Sequence, residues 1–165
     1  MDVASALLTL SQVAIGIAGF SAILVALSGK PHLWTPVDAF RIRNILAFSF
    51  QSVFLSLIPF VLSFFSLPQS TLWKDSLLIL AAATLGGVLL VLSGVYRLSR
   101  AERAVLNLRV VAMVTAILSA MAAVELLAAF GILRSPSGVF FLGLVVLLWV
   151  STLLVARFLF ARPAD

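Results

Sequence analysis

Residues 110–133 read VVAMVTAILSAMAAVELLAAFGIL, and a single letter in that run, Glu125, is charged. The run is long enough for the roughly 20 apolar residues that a membrane-crossing helix needs. Four more stretches resemble it. Residues 3–29, 44–73, 76–96 and 135–156 contain no Asp, Glu, Lys or Arg. The chain of 165 residues is 63% hydrophobic and 10% charged, with a mean hydropathy of +1.24. A soluble domain carries about 25% charged residues, so this chain has too few to cover a water-facing surface.

A bilayer admits only helices or closed barrels as spans, because every backbone polar group must be paired internally. A barrel strand alternates in polarity residue by residue. These runs do not alternate, so they read as helices. The expectation is an all-α integral membrane protein: one domain over 1–165, a bundle of five transmembrane helices at about 4–28, 45–67, 76–96, 110–133 and 138–158. Met1-Asp2 has no basic residue and the run behind it exceeds a signal peptide's apolar core, so the first segment reads as a retained span.

The basic residues set the expected topology. Lys30, Arg41 and Arg43 fall between segments one and two, Arg97, Arg100, Arg103 and Arg109 between three and four, and Arg157 and Arg162 after five. Only Lys74 and Arg134 fall on the other side. Short loops rich in Lys and Arg stay in the cytoplasm. The N-terminus is therefore expected outside and the C-terminus in the cytoplasm. Trp34 and Tyr96 suit the inner interface and Trp73 the outer one, while Trp149 falls near mid-membrane, away from either belt. Arg-rich, Ala- and Leu-rich composition suggests a GC-rich genome, hence a bacterial inner membrane.

Local signals mark the loops. Thr35-Pro36-Val37-Asp38 reads as a helix start, with Thr as N-cap, Pro at the first position and Asp near the positive dipole end. Leu67-Pro68-Gln69-Ser70 reads as the stop of segment two. Arg134-Ser135-Pro136-Ser137-Gly138 reads as a tight outer turn. The stretch from Arg97 to Arg109 is an interfacial helix or the extended ends of its neighbours.

Segment two carries Ser49, Ser52, Ser56, Pro59, Ser63 and Ser66 along one face, with a period of about 3.5 residues. Serines on such a face pack helices or line a wet path. Pro59 removes a backbone hydrogen bond and kinks the helix, as a fixed bend or as a hinge. Small-residue faces occur on segment one (Ala14, Ala18, Ala22, Ala26, with Gly16 and Gly19), segment three (Ala82, Gly86, Gly94) and segment four (Ala112, Ala116, Ala120). They favour close helix contact within a chain or between chains.

Glu125 is the residue most expected to carry function, because a central acid costs about 2.5–3.5 kcal/mol to insert and is retained for a reason. The 1.5 Å rise puts it roughly 13 Å from the outer end of its helix, and puts Gln12 about 15 Å in from the same side. The pair is expected in one layer. Glu125 then serves as a hydrogen-bonding bridge to Gln12 or a serine, or as a proton or cation site.

Enzyme chemistry is not expected. Intramembrane catalysis needs paired acids, a nucleophile–base set or a metal cluster, whereas the chain has no Cys and its one His, His32, is in a loop. No cofactor and no metal site is expected. Arg41, Arg43, Arg97, Arg100, Arg103 and Arg109 are expected to touch membrane lipid headgroups, not nucleic acid. Two classes remain: an oligomeric conduit for protons or small cations, with Glu125, Gln12, Ser49, Ser52, Ser56 and Ser63 along its polar path, or an accessory scaffold in which the same residues only pack. The conduit is the preferred reading.

Overall fold

A computed structural model describes residues 3–27 and 35–160. Lys30, His32, Trp34 and Arg162 lie outside the described residues. Six helices follow in order among the described residues: α1 (Val3–Leu27), α2 (Pro36–Ser63), α3 (Gln69–Arg97), α4 (Arg100–Val105), α5 (Leu108–Ala129) and α6 (Pro136–Phe160). All but α4 are long and apolar enough to cross a membrane.

Short-range chemistry explains the helix ends. The Asp38 backbone N–H donates to Thr35 Oγ1 at 3.2 Å, while the Thr35 N–H donates to Asp38 Oδ2 at 3.4 Å. This reciprocal box satisfies donors that α2 would otherwise leave open. α2 stops earlier than its sequence suggests. It ends at Ser63, Ser66 turns left-handed at φ 53°, and Pro68 instead opens α3. The arginine-rich stretch holds a separate short helix, α4, whose start is boxed by Ser99 and Glu102. α5 ends in a Schellman motif: Ile132 N–H donates to the Leu127 carbonyl and Gly131 N–H to that of Ala128, both at 3.0 Å. Gly131 adopts φ 78°, which glycine reaches without strain. The expected turn at 134–138 is thus displaced towards Gly131, and Pro136 is already the first residue of α6.

α3 packs chiefly on α5, α1 on α2, and α2 on both α3 and α6. Phe48, Leu77, Leu80, Leu118, Phe140 and Leu144 are fully buried at the centre. α2 approaches α3 through glycine: a β-carbon at Gly87 would stand 2.7 Å from the Phe48 ring, and one at Gly94 would meet Phe40. Outside this core, Phe54, Phe64, Leu89, Phe130 and Trp149 stay exposed, as in a belt that faces lipid.

The small-residue faces are only partly used within the chain. Ala14 and Ala18 are buried on α1, but Gly16, Gly19, Ala22 and Ala26 face outward. On α3 the buried small residues are Ser76, Ala81, Thr84, Gly87 and Gly94, while Ala82 and Gly86 face outward. On α5, Ala112, Ala116 and Ala120 are exposed, and Val114, Leu118, Met121 and Ala122 make the contact instead. Lipid and protein interior are equally apolar, so small size alone did not identify the packed face.

Candidate functional site

α5 buries Glu125 completely, in the crevice where α3 and α6 meet it. Two residues shape that crevice. Gly143 of α6 leaves room for the carboxyl: a β-carbon there would run into Glu125 Oε1 and stand 2.8 Å from Leu80 Cδ2. Thr84 of α3 sets its hydroxyl beside the carboxyl. That hydroxyl donates its proton to the Leu80 carbonyl at 2.9 Å. Neither carboxyl oxygen has a hydrogen-bond partner among the described residues. A bare carboxylate here is a high-energy form, because burying an unpaired charge costs far more than burying an acid.

The expected pairing with Gln12 is absent. Gln12 lies on the exposed face of α1, and no hydrogen bond joins it to Glu125. The helical rise matched their depths but carried no information on which way each side chain turns.

The serine seam of α2 is buried as far as Pro59 and then leaves the interior. Ser49, Ser52 and Ser56 are buried, and Ser63 and Ser66 are exposed. Each buried hydroxyl has a partner within the protein. Ser52 donates to the Phe48 carbonyl at 2.9 Å and Ser56 to that of Val53 at 2.7 Å. Ser49 and Ser151 are 2.6 Å apart, and Ser151 donates onward to the Ile45 carbonyl at 3.3 Å, so Ser49 is the donor of the pair. Exposed Ser63 bonds its own helix, at the Phe60 carbonyl. Pro59 is buried inside α2 without a backbone N–H.

Among the residues of this interior that the sequence did not single out are Thr84, Gly143, Ser151, Asn44 and Gln51. Gln51 ties α2 to α3, donating from Nε2 to the Ala83 carbonyl at 2.5 Å. Gln51 shared the uncharged, polar character that drew attention to Gln12. Gly143 gave no signal at all, since its use depends on a carboxyl eighteen positions earlier in the chain.

The basic residues gather at the end of the bundle where α2 and α5 begin and α3 and α6 end. Arg97, Arg100 and Arg109 are exposed there. Arg43 sets its guanidinium 5.8 Å from the Phe40 ring centroid. Arg41 stands 3.6 Å from Asp38. Arg103 is committed to the chain itself, donating to the Leu98 and Tyr96 carbonyls at 2.8 and 2.7 Å and so closing the end of α3. No group of three or more His, Cys, Asp or Glu that could hold a metal occurs among the described residues.

Comparison with protein-family models, with curated proteins and with solved structures finds no match to this chain. The chain is a multi-helix membrane protein by its five apolar helices.

Proposed function

We propose that this protein is a proton conduit of a bacterial cytoplasmic membrane, with its N-terminus outside, in which Glu125 takes up and releases the proton. The observation that supports this reading is the fully buried Glu125 carboxyl, which has no hydrogen-bond partner among the described residues. A metal cation suits the crevice less well. Calcium takes 6–8 oxygens, whereas the side chains here supply the Glu125 carboxyl and the Thr84 hydroxyl. Pro59 is the hinge candidate, since its missing backbone bond softens α2 beside the seam. The outward small residues of α3 and α5 favour a homo-oligomer, with the path completed between copies.

A scaffold is the second reading, and one observation favours it: the buried hydroxyls of α2 are all engaged, Ser52 and Ser56 within their own helix and Ser49 with Ser151 of α6, as packing requires and a continuous wet lining does not. Reconstituted liposomes separate the two. Wild-type protein is expected to pass protons down a pH gradient, and Glu125→Gln, which keeps shape and hydrogen bonding, to fold normally and lose that flux. Wild-type liposomes without proton flux at any pH overturn the conduit and leave the scaffold.

A further inference from the structure

A cleft of about 70 Å³ opens at the basic end, between the start of α2, the link into α5 and the last turns of α6. Its charged members are Arg41 and Arg157, on different helices, both half-buried. Asp38 partly balances Arg41 at 3.6 Å, and Arg157 has no acidic partner among the described residues. Asn107, the N-cap of α5, is at the rim, so the positive end of a 22-residue helix faces the same space. Phe40, Val110, Val111 and Leu154 make the remaining walls apolar.

Asn44 gives the cleft its distinguishing feature. It is 2% exposed, its amide donates to the Phe40 carbonyl at 2.9 Å, and its own carbonyl oxygen is buried without a partner among the described residues. A buried acceptor left unpaired costs about 1–3 kcal/mol, so this oxygen needs a donor. Asn44 is three residues further into the bundle than Arg41 on the same face of α2, about 4.5 Å deeper by the helical rise. An occupant that widens the cleft enough to reach this oxygen presents an anion to the arginines and a hydroxyl about 4.5 Å deeper, with any chain running along apolar walls.

We propose that this cleft binds a glycerol phosphate unit with a free hydroxyl, whether as the head of a monoacyl glycerophospholipid or as the soluble ester. Arg41, Arg157 and the start of α5 hold the phosphate, through the charge-assisted bonds for which arginine is suited. Asn44 accepts from the glycerol hydroxyl. A diacyl lipid carries the same phosphate but has esterified that hydroxyl, so it leaves Asn44 unpaired.

Binding to the detergent-solubilised full chain tests this, by native mass spectrometry with 1-oleoyl-glycerol 3-phosphate, dioleoyl phosphatidic acid and glycerol 3-phosphate as probes. The monoacyl lipid is expected to bind at least about tenfold more tightly than the diacyl lipid, the cost of one unpaired buried acceptor. Arg157→Gln should weaken both by about tenfold. Asn44→Leu should abolish the preference between them. Val111→Phe fills the cleft without changing charge and should block both, which general attraction to a basic rim would not do. Glycerol 3-phosphate that competes identifies the soluble ester as an occupant; failure to compete assigns the site to lipid. Equal binding of the two lipids by wild type, or unchanged binding in folded Arg157→Gln, overturns the proposal.

Discussion

Gly143 and Glu125 face each other across the α5–α6 interface so closely that a single added methyl would strike the carboxyl. The glycine is there to make space for an acid, and each residue explains the other. Gly143→Ala should destabilise the folded bundle by about 1–3 kcal/mol, the usual cost of overpacking a core. Combining it with Glu125→Ala should cost less than the sum of the single changes, because the second removes the atom that the first strikes. Denaturant titration in detergent measures all three. Strict additivity would mean that the two side chains do not share the crevice.

Tryptophan scanning along α2 should divide the helix by burial and not by the serine repeat alone. Positions 50, 54 and 61 face outward and should accept tryptophan, and so should 63 despite its place in the seam. Positions 49, 52 and 56 should lose folded protein. Tolerance at 52 as complete as at 54 would contradict the packing of α2 against α3 and α6.

The proposed orientation rests on the distribution of basic residues. Ser70 and Ala101 are both exposed and lie at opposite ends of the bundle, at the starts of α3 and α4. With single cysteines at these sites, an impermeant thiol reagent added to intact cells should label position 70 and spare position 101. Labelling of 101 would reverse the topology.

Glu102 accepts a hydrogen bond from the Ser99 backbone N–H at 2.7 Å, and this bond, with a second from the Ser99 side chain, holds its carboxyl below the ordinary value of 4.5. A carboxyl whose pKa is lowered in the folded state stabilises that state above its unfolded value and ceases to as pH falls through the folded value. The start of α4 should therefore be unchanged from neutral pH down to 4.5 and fray only below it. The Ser99 amide resonance, followed by NMR between pH 7 and 3, should titrate with a midpoint below that of a free glutamate, and Ser99→Ala should move the midpoint of Glu102 upward. A midpoint at the ordinary value would show that the box does not form in solution.

The features legible in the sequence were those set by one segment at a time. Five apolar runs needed only the cost of exposing a backbone to lipid, and the start of α2 needed only Thr35 and Asp38, three residues apart. Glu125 stood out because one charge in a long apolar run is expensive wherever its helix faces. Which side of each helix met a neighbour was decided by tertiary structure alone. In water an apolar stripe marks the buried face, but in a bilayer lipid is as apolar as the protein interior, so the stripe vanishes. That is why Ala112, Ala116 and Ala120 face outward, and why Gln12 and Glu125 do not pair. Thr84, Gly143 and Leu80 surround the carboxyl from two other helices, through contacts that no periodicity within α5 encodes.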